Sequence, residues 1–131
     1  MGLLSSSAIA TASIGFNVDD CSTYGNLIEE SANHRTYENE GIKYFVQFDP
    51  DGTVHRMEVK FPKGIHPSVA FMLAHMPEQV CKQSKRWKKN IPLCSKRRLA
   101  LISEDRTVEA IFYKERWNKI ARVVITQKPS S

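Results

Sequence analysis

Three cysteines (Cys21, Cys81, Cys94) and four histidines (His34, His55, His66, His75) are the side chains here with the chemistry for nucleophilic attack, redox work or metal binding. A thiol attacks as its thiolate, which a histidine base or neighbouring cations can generate. Cys94, set among lysines and arginines, is the candidate for the second route. A soft metal site would draw on His66, His75 and Cys81, yet spacings of 9 and 6 residues do not set them on one helical face. Cys81 and Cys94 stand too far apart for a zinc knuckle. The six glycines are scattered, so no phosphate-cradling loop can be built, and no serine lies in a nucleophile-elbow pattern. The carboxylate pairs Asp19/Asp20, Glu29/Glu30 and Glu38/Glu40 read as acidic surface. The expectation is a chain that is not an enzyme and takes no metal or cofactor.

A disulfide is the other chemistry to weigh. A Cys81–Cys94 link would close a loop of about 14 residues, worth roughly 3 kcal/mol in the chain-entropy view. That link suits an exported protein. Met1 to Phe16 carries no charged side chain, and Ala10-Thr11-Ala12 fits the small-x-small pattern of a signal-peptidase site, although no Lys or Arg precedes it. The alternative is a cytoplasmic chain with three reduced thiols. No stretch approaches the roughly 18 to 20 apolar residues of a membrane-spanning helix.

Charge is distributed unevenly. Residues 1–65 hold nine acids and five Lys/Arg, whereas residues 66–131 hold fourteen Lys/Arg and five acids. No acid falls between Glu78 and Glu104, an interval that contains Lys82, Lys85, Arg86, Lys88, Lys89, Lys96, Arg97 and Arg98. Such a block repels itself unless something neutralises it. The acidic N-terminal half, an acidic protein or a polyanion would serve. Trp87, inside Lys85-Arg86-Trp87-Lys88-Lys89, adds a ring that can anchor an interface or stack on a base. The plainer reading places Trp87 at a helix end among solvated lysines.

The elements that must position these residues read as follows. Asp19 to Ser22 looks like a helix start, and Leu27, Ile28 and Ala32 are spaced for one face of a helix over 22–35. Ile42 to Phe48 and Val54 to Phe61 alternate around Asp49-Pro50-Asp51-Gly52, a β-hairpin ended by Pro62-Lys63-Gly64. His66-Pro67-Ser68 opens a second helix that Pro77 interrupts, with a further piece running towards Trp87. Residues 97–103, 107–113 and 120–126 read as strands. Asp51-Gly52-Thr53-Val54 and Asp105-Arg106-Thr107-Val108 echo one another at two turns, an echo best explained by chance.

Together these predict an α+β domain over 19–127, with a sheet of about five antiparallel strands and two or three helices on one face, in αββ–αβββ order. Residues 1–18 form a flexible extension or the remnant of an export signal, and 128–131 a tail. The expected function is a small, exported, bacterial binding module with no catalytic role. It acts as an inhibitor, immunity-type or envelope-complex protein in the periplasm or outside the cell. Its protein partner is met by Lys82, Lys85, Arg86, Trp87, Lys88, Lys89, Lys96, Arg97 and Arg98. The alternative is a cytosolic nucleic-acid-binding domain using the same residues. The residues do not fix an oligomeric state.

Overall fold

The computed structural model describes residues 14–74, 87–91, 94–103, 106–116 and 119–128. They form a 3-10 helix (Val18–Tyr24) and the strands β1 (Asn26–Glu30), β2 (His34–Asn39), β3 (Ile42–Phe48) and β4 (Val54–Ile65). Helix α1 (Pro67–Leu73) follows, then β5 (Trp87–Lys89), β6 (Arg98–Ser103), β7 (Val108–Arg116) and β8 (Lys119–Gln127). All eight strands belong to one antiparallel sheet, ordered β1-β2-β3-β4-β8-β7-β6-β5. Two four-stranded meanders therefore meet along β4 and β8, and each sheet edge is the first strand of its meander.

This corrects the expected α+β architecture of five strands and two or three helices. Strands hold 62% of the described residues and helical turns 15%, so the sheet defines the fold and the helices only cover it. The helix expected over 22–35 is absent. The 3-10 helix ends at Tyr24 because Gly25 adopts φ +150, and a Cβ there would strike the Glu38 carbonyl oxygen. The chain then turns through Ser31, whose N–H donates to the His34 carbonyl, to make β1 and β2. Leu27 and Ile28 are not a buried helical stripe; they are 46% and 50% exposed on an edge strand. The expected αββ–αβββ order fails for the same reason, since β1, β2 and β5 are the additional strands. Of the second helix, Pro67–Leu73 forms, with Pro67 in its first turn and His66 Nδ1 accepting the Ser68 N–H. Its expected continuation falls on residues 75–86, outside those described.

The central hairpin is as expected, with one register detail. Phe48 lies opposite Val54 and Gln47 opposite Arg56, so His55 is an extra residue in β4. This bulge turns Val54 onto the same face as Met57, Val59 and Phe61. All four are buried there with Tyr44 and Val46 of β3 and Val123 and Ile125 of β8. A second irregularity, between Lys60 and Ile65, lets β4 continue past Pro62-Lys63-Gly64, which had been expected to end it. The 3-10 helix lies over β2 and β3, and α1 over β8. Ala70 and Ala74, fully buried, are small enough for α1 to approach the sheet closely. Tyr44 donates from its hydroxyl to the Leu73 carbonyl at 3.1 Å, fixing the end of α1.

The echo between the two acidic turns has no counterpart in the fold. Residues 51–54 join β3 to β4, whereas 106–108 lead from β6 to β7. Pairing the two meanders strand for strand would match the β3–β4 turn with the β7–β8 turn instead.

Candidate binding edge

β5 exists through its neighbour. Trp87, Lys88 and Lys89 lie opposite Ser103, Ile102 and Leu101 of β6. Three residues this basic have weak strand preference alone, and pairing with an established strand overrides it. Trp87 therefore opens a strand, not the helix end expected for it; its side chain lies outside the description. No described strand pairs with the other side of β5, so its outward N–H and C=O groups face away from the sheet.

Lys88, Lys89, Ile91, Ile102 and Arg106 line a cleft of about 370 Å³ along this edge, and none of the described residues lining it is a carboxylate. Arg106 reaches it from the β6–β7 turn, where Ser103 Oγ accepts the Thr107 and Val108 N–H groups at 3.2 and 3.0 Å. The turn holds Arg106 at φ +62, a left-handed conformation uncommon for a side-chain-bearing residue. At the other end of β6, Ser95 and Arg98 exchange backbone hydrogen bonds and place Lys96 and Arg97 exposed at the tip of a tight turn. Five residue steps along β6 separate Arg98, next to that turn, from Ser103 by roughly 17 Å. Cations thus occupy both ends and the middle of this edge.

Of the nine residues expected to meet a partner, Lys88 and Lys89 line the cleft, and Lys96 and Arg97 lie at the turn. Arg98 is half-buried and paired with Tyr113 in the β6–β7 ladder, so it belongs to the sheet face. Lys82, Lys85 and Arg86 fall outside the described residues. Arg106 and Ile91 were missed. Arg106 follows two acids in the sequence, Glu104 and Asp105, in a segment that reads only as a turn. Ile91, 67% exposed, is a lone apolar residue in a break.

The sheet order decides one of the three proposed neutralisers. The acids of β1, Glu29 and Glu30, lie on the opposite edge, seven strand spacings or roughly 30 Å from β5. They are engaged locally: Glu30 with Arg35 at 3.3 Å and Glu29 with His34 at 3.8 Å. These two carboxylates therefore do not neutralise the basic edge. Among the described residues, Glu109 is the carboxylate near β5; it is buried, accepts from Asn90 Nδ2 at 3.0 Å and lies 3.7 Å from Lys128 Nζ.

The candidate chemistry residues are placed as structural parts. Cys94 is a free thiol lying 3.5 Å from the Ala100 nitrogen and 3.6 Å from its carbonyl oxygen. Cys81 lies outside the described residues. Cys21 is also free and fully buried, and burial pushes its thiol up to about 11. His34 Nδ1 is 2.6 Å from Ser31 Oγ, and His55 Nδ1 is 3.0 Å from Asp49. Among the described residues, no three His, Cys, Asp or Glu side chains converge as a metal site, and no helix is long and apolar enough to cross a membrane.

The fold and this edge define a class in physical terms: a single antiparallel sheet, covered on one face, with one acidic and one basic edge that no described strand extends. No known family, curated protein or solved structure matches the chain.

Proposed function

We propose that the chain is a non-catalytic binding module whose basic edge captures an acidic protein segment as an added strand. The observation that supports it most is the coincidence of Lys88, Lys89 and Arg106 around the cleft with an outer side of β5 that no described strand pairs. An extended peptide satisfies both features at once: its backbone pairs with β5 while its carboxylates meet the cations. A nucleic acid neutralises the cations and leaves the strand edge unfilled. That difference favours a protein over a polynucleotide.

The test is titration of the full chain with an extended peptide alternating Glu and Val. Expected is binding at low salt that weakens with ionic strength and is lost in a Lys88→Glu/Lys89→Glu variant. No binding by the wild-type chain, or tighter binding of single-stranded DNA or RNA at the same residues, overturns it. Contacts to about six phosphates would cost roughly 10³-fold in affinity between 50 and 200 mM salt. The proposed setting is an exported one, in an inhibitor, immunity-type or envelope-complex role, supported by the uncharged stretch over 1–16. Intact mass from native cells, alkylated before reduction, tests this. A chain that starts near Ser13 supports export, and a full-length chain overturns it.

A further inference from the structure

We infer that the acidic edge of one copy adds to the basic edge of a second, carrying the antiparallel sheet from molecule to molecule. The inference rests on the reading of β5 as a strand-capturing edge and names its partner. Strand direction permits it. The sheet has eight strands, each antiparallel to its neighbours, so β1 and β5 run in opposite directions. A second copy placed alongside in the same orientation presents its β1 antiparallel to β5, with no inversion.

Charge and apolar surface agree in one register. Placing Glu30 opposite Lys88 sets Glu29 opposite Lys89; Ile28 is an extra residue in β1, so Leu27 then comes level with the segment Asn90-Ile91 that leaves β5. The same alignment joins acids to bases and brings two exposed apolar side chains near one another, 46% exposed for Leu27 and 67% for Ile91. Glu29 and Glu30 keep 67% and 55% of their side-chain surface exposed despite their local partners, so both remain able to meet a second copy. All five residues of β1 are exposed, and no described strand covers its outer side. Such an edge is a template for strand addition. Lysine on an edge ordinarily discourages indiscriminate pairing; on β5 it selects an acidic strand. The two patches differ, so the contact is heterologous, and assembly grows by one copy per joint unless the rotation closes a ring.

The test is sedimentation velocity of the full chain over a range of concentrations, at ionic strengths of about 0.01 M and about 0.5 M. The average mass should at least double with concentration at low salt and fall to the monomer at high salt. Glu29→Lys/Glu30→Lys and Lys88→Glu/Lys89→Glu variants should each stay monomeric alone. Their equimolar mixture should associate again, because opposite charges meet at every joint. All four positions are exposed, and an unchanged melting temperature verifies folding. A wild-type chain that stays monomeric at low salt, or a mixture that fails to associate, overturns self-pairing. Binding of the Glu/Val peptide to that monomer would leave the reading of β5 standing; its absence would remove both.

Discussion

Asn90 Nδ2 donates to Glu109 Oε2 at 3.0 Å, joining the residue that leaves β5 to the second residue of β7 across β6. The bond holds the corner beside the cleft. Glu109 is only 8% exposed, and removing it leaves the half-buried Asn90 amide without its acceptor. Glu109→Ala is expected to cost about 1–3 kcal/mol. Glu109→Gln keeps an acceptor for Asn90 and should cost less than half as much. Urea denaturation of the two variants separates these outcomes, and equal losses would show that the bond does not hold the corner.

Arg106 offers an opposite trade. Its left-handed backbone costs roughly 1–2 kcal/mol in a residue with a side chain, and glycine has no such cost. Arg106→Gly should therefore stabilise the fold by up to about 1 kcal/mol, the extra freedom of glycine in the unfolded chain offsetting part of the gain. It also removes one cation from the cleft. The melting temperature should rise while affinity for the acidic peptide falls several-fold. A rise with unchanged affinity would take Arg106 out of the binding edge.

The strands that the sequence reveals are those whose burial follows their alternation. Tyr44 and Val46 alternate with Lys43 and Gln47, and Ala110 and Phe112 follow the same rule in β7. β1 buries nothing on either face, so the period of two has no physical cause to appear there. Leu27, Ile28 and Ala32 then mimic a helical face by chance. β5 is hidden for a different reason: three residues paired with β6 leave no local signal, and lysines argue against a strand. The binding edge was legible as charge, through Lys88, Lys89, Lys96 and Arg97. Its geometry was not, because Arg106 comes from another turn and only the sheet order separates the acids from the bases.

Gly25 is where the expected helix is broken, and it carries its own prediction. An added Cβ would meet the Glu38 carbonyl group and lie 2.9 Å from the Asn39 Cβ, atoms fixed by the β2 backbone. No side-chain rotation relieves that clash. Gly25→Ala should destabilise the domain by about 2 kcal/mol or more, from overpacking and from the backbone conformation alanine must adopt. Thermal denaturation checks it; a loss below about 0.5 kcal/mol would mean that β1 shifts freely against β2.

Cys21 makes stability depend on alkaline pH. It is fully buried in the cluster that holds Tyr24, Tyr37 and Tyr44, and burial raises its thiol from 9.0 to about 11. The folded state therefore releases this proton later than the unfolded chain does. Its contribution is fully present below the unfolded value near 9 and is lost as pH climbs through the folded value near 11. About 1 kcal/mol should be gone by about pH 10. Tyr24 and Tyr44 are also raised by burial, but their unfolded forms titrate near 10, so their losses develop at higher pH. Urea denaturation at about pH 8 and about pH 10 should show this loss in the wild-type chain and little of it in Cys21→Ala. That variant will be less stable at both pH values because it leaves a small cavity, so the comparison lies in the slope with pH. Equal slopes in the two proteins would mean that the Cys21 thiol ionises without disturbing the fold.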